Sequence, residues 1–335
     1  MVEKFFNGER GNLSDLDREV DESMRMFEQS QTGEVAVVEP RRPSRILLVL
    51  DGSTQDPTSI AAAAWMRARF DTETLVLAVV DDSHASERRD GPTSRGNQEV
   101  AESAARQISG SRVLTRPPSD PPTSAYDQIL HHVADVDPDL TILPCPFGRD
   151  FESVGVDSAG TVVDVLLARM PKPMLIIRAP RELDPCSHHV RLITGSECDV
   201  LRQSAAWALG LLSEGGELSF HVVIEKEAFE NLRSVLTALS PDQEIDTQAY
   251  GDALAKSHGR LHRELAKTAM RRGARYEMKA EAGEVAPPNP LDDDQNMVLV
   301  LPIEVDDRFH QGFVQDRIRR SPHPVLVVPG HVPAG

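Results

Sequence analysis

Residues 139–178 read DLTILPCPFGRDFESVGVDSAGTVVDVLLARMPKPMLIIR, and their pattern decides the fold. The stretch predicts a buried strand, a glycine-containing loop, a helix and a second buried strand, with Gly160 and Thr161 where the helix begins. A helix start beside the edge of a sheet offers unpaired backbone N–H groups and the positive end of the helix dipole. The stretch therefore indicates an α/β protein with a candidate phosphate site.

The same order of elements recurs in the chain. Residues 297–328 read MVLVLPIEVDDRFHQGFVQDRIRRSPHPVLVV and repeat the strand, the helix and the last strand with almost none of the glycine. Upstream, HVRLITGS at 189–196 matches RILLVLDGS at 45–53, and both tryptophans, Trp65 and Trp207, follow Ala-Ala. We interpret the chain as two copies of one unit, and we expect both tryptophans to anchor helices in the core.

Composition narrows the class of protein. A chain of 335 residues is long enough for two domains, and its net charge of -17 disfavours binding to nucleic acid or to an anionic membrane surface. The three cysteines follow no metal-ligand spacing, and no apolar run has the length of a signal peptide core or a membrane span. We therefore expect a soluble, cytoplasmic protein.

Strand and helix patterns alternate along both copies, which predicts parallel sheets covered on both faces. We assign 1–43 to an N-terminal arm and linker, with a helix opened by Ser14, 44–180 to domain 1 and 188–330 to domain 2. In the second copy we expect one helix over 252–273 and a strand over 276–282. The prolines and aspartates of 287–296 oppose a third helix there.

Several short motifs together resemble the universal stress protein family. They are Asp51-Gly52-Ser53 after the first strand, a second strand ending in Val-Val-Asp, the glycine loop with Gly160-Thr161, and the ending Lys-Pro-Met-Leu-Ile-Ile at 172–177. The resemblance implies two doubly wound, open parallel sheets in tandem, of the adenine nucleotide alpha-hydrolase-like fold. Each would have strand order 3-2-1-4-5, with a ligand crevice between strands 1 and 4.

Family members that hold ATP carry Gly-x2-Gly-x9-Gly-Ser/Thr after strand 4. Here Cys145 stands at the first glycine position, and eleven residues rather than nine separate Gly148 from Gly160. The resemblance implies ATP or another adenine nucleotide as a ligand of domain 1, with Asp51 near the adenosine and Val79 facing the adenine. The binding residues would be Leu50, Asp51, Gly52, Val79, Gly148, Gly160, Thr161 and Val162.

The second copy departs further from this pattern. Thr194 replaces the aspartate of strand 1, and Ile303 and Asp306 fall at the two glycine positions, with Asp307 beside them. Because two carboxylates repel phosphate, we expect domain 2 to be degenerate and to bind no nucleotide in the usual way.

The resemblance also implies how the halves meet, since family members commonly pair their fifth strands antiparallel. Residues 174–178 and 325–328 could form that pair within one chain, giving an intramolecular pseudo-dimer and leaving further homo-oligomers open. The leading hypothesis is a stress-response binding and signalling module. The alternative is a ligand-free scaffold whose closed crevice leaves the surface or the arm to recruit an unknown protein partner.

The chain shows no motif of a dinucleotide-binding enzyme, a P-loop NTPase or an α/β hydrolase, so we expect no enzyme, although slow ATP hydrolysis remains open. His258 and His262 could face one metal, but a solvated helix face is the favoured interpretation. Cys145 is either an oxidant sensor activated by Arg149 or an inert buried thiol, with the inert thiol favoured. The arginines at 317, 319 and 320 could bind an anionic partner, but the neighbouring aspartates at 306, 307 and 316 favour a mixed charged surface.

Overall fold

The computed structural model describes residues 36–79, 94–115, 124–150, 158–195, 198–239, 247–284, 296–304 and 308–330. Contacts between residues divide the chain after Val37, and everything from Val38 onward is one compact unit. The predicted helix at Ser14, Asp306, Asp307 and most of 287–296 lie outside the described residues. No helix in the described ranges is long and apolar enough to cross a membrane.

The first half alternates strands and helices as the sequence predicts. Its helices begin and end at recognisable signals: the hydroxyl of Ser124 accepts a hydrogen bond from the N–H of Asp127, and a left-handed residue, Asp71, follows the first helix. The elements are β1 (Arg45–Leu50), α1 (Asp56–Phe70), β2 (Glu73–Ala78), α2 (Ser94–Gln107), β3 (Arg112–Val113), α3 (Ala125–Val136), β4 (Leu140–Pro144), α4 (Thr161–Arg169) and β5 (Met174–Ile177).

The second half repeats this order with extra helices. Its elements are α5 (Leu183–Cys186), β6 (His189–Thr194), α6 (Leu201–Leu211), β7 (Glu217–Glu225), α7 (Lys226–Leu239), α8 (Thr247–Ser257), α9 (Gly259–Arg271), β8 (Arg275–Glu284), β9 (Val298–Ile303), α10 (Arg308–Arg320) and β10 (Val325–Pro329). The expectation of a single helix over 252–273 is wrong, because a turn at His258 separates α8 from α9. The strand expected at 276–282 forms as the longer β8.

All ten strands belong to one sheet, in the order β3-β2-β1-β4-β5-β10-β9-β6-β7-β8. Each half therefore has the predicted order 3-2-1-4-5, and its strands are parallel. β5 and β10 pair antiparallel, with Leu175 opposite Leu326 and Met174 opposite Val327. This confirms the predicted pairing of the fifth strands, which joins two five-stranded sheets and covers an edge of each.

Helices cover both faces of the sheet. The hydrophobic cluster on one face includes residues of α1, α2, α6 and α9, and that on the other includes α3, α4 and α10. Both clusters run from β1 to β10 and so through both halves. Trp207 is fully buried, as expected. Trp65 is only half-buried, because it lies where α1 meets α5 and donates a hydrogen bond from Nε1 to Asp184 Oδ1 at 2.6 Å.

Residues 38–43, which the sequence assigned to the linker, form a strap across the helices of the second half. The side chain of Val38 is buried, and its N–H donates to Thr268 Oγ1 at 3.1 Å. The N–H of Arg41 donates to the carbonyl of Ala206 in α6 at 2.8 Å. Gly210 makes this approach possible, since a Cβ there would lie 1.7 Å from the Arg41 carbonyl oxygen.

Candidate nucleotide site

The predicted site residues of the first half come together at the carboxyl edge of the sheet, between β1 and β4. This is where the strand order reverses, which is the usual position of ligands in such sheets. Leu50 is fully buried at the end of β1, and its carbonyl accepts a hydrogen bond from the N–H of Val79 at 2.9 Å. The ends of β1 and β2 are thereby held side by side.

Asp51 connects the loop after β1 with the loop after β4. It is 5% exposed, and its carboxylate accepts hydrogen bonds from the N–H of Ser53, at 2.9 Å, and from the N–H of Gly148. Gly148 and Gly52 both have positive φ, of 72° and 78°, which favours glycine. Two of the predicted glycines therefore shape the turns that surround Asp51.

Asp56, which the sequence analysis missed, lies against Asp51. Its carboxylate accepts from the N–H of Gly52 at 2.8 Å and from the N–H of Asp51 at 3.2 Å. Burial raises the pKa of both carboxyl groups, and burial together with the charge of Asp51 raises the pKa of Asp56 to about 7. The two acids therefore share a proton around neutral pH. The sequence feature that could have identified Asp56 is the pair Asp56-Pro57, which is typical of a helix start.

Further hydrogen bonds hold residues 51–56 against the loop after β4. The side chain of Gln55, which is 4% exposed, donates to the carbonyls of Cys145 and Arg149 at 3.3 and 3.0 Å. The N–H of Thr54 donates to Asp150 Oδ1 at 3.1 Å. Gln55 belongs to no recognisable sequence motif, so only the fold shows that its side chain connects the two loops at the crevice.

The start of α4 lies beside the same loop. Gly160 has φ 88°, precedes the first helical residue and provides no side-chain cap. Its N–H donates to Ser158 Oγ at 2.9 Å, and a Cβ on it would lie 3.6 Å from the backbone nitrogen of Phe147. Thr161 is exposed, whereas Val162 is buried and can offer only its backbone. The helix start is therefore accessible at Thr161.

The environment of Cys145 favours the inert interpretation. The thiol is fully buried, and burial raises its pKa to about 12. The guanidinium that approaches it belongs to Arg178, with Nη1 at 3.4 Å from Sγ, and not to Arg149, whose carbonyl contacts Gln55 instead. The attraction of Arg178 lowers the pKa by less than burial raises it, so the thiolate needed for oxidant sensing is scarce.

In the second half an aromatic ring occupies the corresponding edge. Thr194 is fully buried, and a Cβ on the following Gly195 would lie 3.4 Å from the ring of Phe313 in α10. Arg317 is buried as well, with its guanidinium 3.3 Å from the centroid of that ring, so its expected place on a charged surface is wrong. The guanidinium of Arg317 therefore covers one face of the Phe313 ring.

The other two arginines of α10 behave as expected. Arg319 Nε and Arg320 Nε lie 2.9 and 3.3 Å from Asp316 Oδ1, which gives the mixed charged surface.

The two histidines do not lie on a solvated helix face. His258 is 3% exposed and packs its ring edge-on against Phe220, with 5.8 Å between the centroids. His262 lies with Nδ1 3.0 Å from the hydroxyl of Tyr276. His258 lies in the turn between α8 and α9, and His262 is half-buried on α9, which packs on β8, so the interpretation of both as a solvated helix face is wrong. Within the described residues, no group of three or more potential ligands could hold a metal ion.

Comparison with known proteins identifies the fold. No protein-family model and no curated protein sequence matches the chain. A universal stress protein from Archaeoglobus fulgidus DSM 4304 is similar in structure, with TM-score 0.55 and 14% identity over 86% of this chain and 96% of its own. A functionally unknown protein from Pseudomonas aeruginosa PAO1 gives TM-score 0.52 and 13% identity over 86% and 93%. The chain thus has the universal stress protein fold, built twice in tandem within one continuous sheet.

Proposed function

We propose that the protein is a tandem universal stress protein that acts as a cytoplasmic stress-response binding and signalling module, and that it binds ATP or another adenine nucleotide in its first half. The observation that carries this proposal is the start of α4, where Gly160 provides no side-chain cap, near the point where the strand order reverses. The backbone N–H groups of a first helical turn and the helix dipole favour phosphate.

Each part of the nucleotide would meet a different part of the site. The phosphates would bind the N–H groups of Thr161 and Val162 and the Thr161 hydroxyl at the start of α4. The adenosine would lie toward Asp51 and Val79, at the ends of β1 and β2. Since Asp51 already accepts two backbone hydrogen bonds, a bound hydroxyl would add to them or replace the one from Gly148.

The second half lacks these features and has a supporting role in this proposal. Phe313 fills the space beside Gly195, and Thr194 provides no carboxylate. Its β10 instead pairs with β5 and completes the sheet. We expect one nucleotide per chain, and we expect binding and signalling rather than turnover.

The direct test is calorimetric titration of ATP into the wild type and Thr161→Glu. A carboxylate at the first helical position suits the helix dipole, so folding is retained, but it repels phosphate. We expect the variant to bind ATP at least about tenfold more weakly. Thr237→Glu is the matched control, because Thr237 is also an exposed helical threonine and lies in α7 of the second half. Equal loss in both variants, or no binding to the wild type, would contradict the proposal.

A second function is supported by the hydrogen bonds that cross the crevice. Gln55 and Thr54 tie the loop after β1 to residues 145–150, so the crevice could be permanently closed and the chain a ligand-free interaction protein. Gln55→Ala separates the two hypotheses, because it removes two of these bonds. A wild type that binds no ATP and a Gln55→Ala variant that does would favour the closed crevice. Wild-type binding that Thr161→Glu abolishes would favour the nucleotide site.

A further inference from the structure

Three arginines from separate segments meet at the end of α6. Arg42 comes from the strap, Arg69 from the last turn of α1, and Arg272 from the residue that follows α9. Arg69 donates to Ser213 Oγ at 2.7 Å and to the carbonyl of Leu212 at 2.9 Å. Arg272 donates to that carbonyl at 3.4 Å and to the carbonyl of Leu209. We call these three residues the arginine cluster.

The arginine cluster keeps its positive charges close together. Burial lowers the pKa of Arg69, and the charge of Arg42 lowers it further, against the opposing attraction of Asp184. Burial, Arg42 and Arg69 together lower the pKa of Arg272. In the part of the chain that the structure describes, none of the three forms an ion pair. This is unexpected in a chain whose net charge is -17.

Aromatic rings hold two of the guanidinium groups in place. The guanidinium of Arg69 lies 4.8 Å from the ring centroid of Trp65 and 5.3 Å from that of Phe70. The guanidinium of Arg42 lies 5.7 Å from the Phe70 centroid. A contact with an aromatic face leaves the N–H groups of Arg42 available to an oxyanion, whereas Arg69 already donates one hydrogen bond from each terminal nitrogen and keeps its other N–H groups.

The arginine cluster lies on the opposite edge of the sheet from the candidate nucleotide site. Both α1 and α6 end next to it, directly before β2 and β7, so it marks the edge where the strands begin. The candidate nucleotide site is at the edge where they end. A ligand of one site therefore cannot contact the other.

We propose that Arg42, Arg69 and Arg272 form a binding site for a small anion that carries several phosphate groups. Three clustered guanidinium groups match three or more phosphate charges, and each has five N–H donors, so that Arg69 and Arg272 keep some for a ligand beside those that contact the end of α6. A small anion fits better than a nucleic acid, because the negative charge of the whole chain repels a long polyanion but is locally outweighed at the cluster.

Stabilisation of α6 alone does not explain the cluster. Arg69 and Arg272 donate to carbonyls at the end of α6, which is favourable for that helix. Arg42 makes no hydrogen bond or ion pair among the described residues, and its charge opposes both neighbours. A bound anion would offset this repulsion between the three positive charges.

The experiment is calorimetric titration of inorganic triphosphate into the wild type, Arg42→Ala and Arg112→Ala. Arg112 is an exposed arginine of β3, and it serves as the control that removes the same charge outside the cluster. We expect binding to weaken at least about tenfold in Arg42→Ala and less than about twofold in Arg112→Ala. Without triphosphate, Arg42→Ala should unfold at the same or a higher temperature than the wild type, because repulsion is removed.

Several results would overturn the proposal. They are the absence of triphosphate binding to the wild type, equal weakening in both arginine variants, and a lower unfolding temperature of Arg42→Ala with unchanged triphosphate affinity. Binding that Thr161→Glu abolishes and Arg42→Ala leaves unchanged would assign the triphosphate to the crevice instead. The test does not depend on ATP binding in the first half, since Thr161→Glu should leave triphosphate binding at the arginine cluster intact.

Discussion

At the scale of single residues, the Asp51–Asp56 pair makes stability depend on pH. The pKa of Asp56 rises from the ordinary 3.8 to about 7 in the folded chain. The folded protein therefore holds a proton that the unfolded chain releases, so the contribution of this group to stability falls as pH rises from about 4 to about 7. We expect Asp56→Asn, which mimics the protonated acid, to raise the free energy of unfolding at pH 8 by on the order of 1–2 kcal/mol and to change it little at pH 5.

Urea unfolding at the two pH values measures this difference. Asp135→Asn removes the charge of an exposed aspartate on α3 and should give the same small change at both values. If Asp56→Asn also gave a change independent of pH, the two carboxyl groups would not share a proton in the folded protein.

The sequence predicted part of the site for a physical reason. The turn after a buried strand and the glycine at a helix start are local features, so Asp51 and Gly160 could be recognised from neighbouring residues. Gln55 acts through contacts with Cys145 and Arg149 that form only when two loops meet, and the raised pKa of Asp56 depends on its burial in the folded chain. Local patterns carry no information on such contacts.

At the scale of elements, the packing of the strap on α6 can be tested at two helical glycines that have different neighbours. A Cβ on Gly210 of α6 would lie 1.7 Å from the Arg41 carbonyl oxygen, whereas a Cβ on Gly312 of α10 would have no neighbour within 4 Å. Alanine is favoured over glycine inside a helix by about 0.5–1 kcal/mol. We expect Gly312→Ala to stabilise by roughly that amount and Gly210→Ala to destabilise by about 1–3 kcal/mol.

The free energy of unfolding of both variants, measured by urea denaturation, gives the comparison. Opposite signs would support a strap that packs firmly on α6. Equal stabilisation by both alanines would show that residues 38–43 move aside without cost, which is incompatible with the hydrogen bonds from Val38 and Arg41.

Strands were predicted better than helices because of how each is buried. The apolar runs of β1 and of β9 are buried along their length, so their sequences are unambiguous. The pattern over 252–273 is helical throughout, and at the break the ring of His258 packs on Phe220 of a strand distant in sequence, a contact that the local pattern does not contain. The residues of the strap are mostly polar or proline. This composition is typical of a linker and does not show whether the segment packs against the helices.

At the scale of the whole molecule, the two halves should unfold as one unit. The antiparallel pairing of β5 with β10 makes the sheet continuous, and both hydrophobic clusters cross this seam. Buried apolar side chains of the two halves contact each other within both clusters. Unfolding of one half would therefore expose apolar side chains of the other. We therefore expect a single cooperative transition, with no intermediate in which only one half is folded.

The two tryptophans provide one reporter for each half. Trp207→Phe leaves only Trp65, in the first half, and costs roughly 1–3 kcal/mol because it replaces a fully buried side chain in the second half. If the halves are coupled, the fluorescence of Trp65 in this variant should shift to lower urea concentration and coincide with the loss of helix measured by circular dichroism. Trp65→Phe, which alters a half-buried side chain, should shift the shared transition less. A Trp65 signal that kept the wild-type midpoint in Trp207→Phe, while circular dichroism showed two steps, would mean that the halves fold independently despite their common sheet.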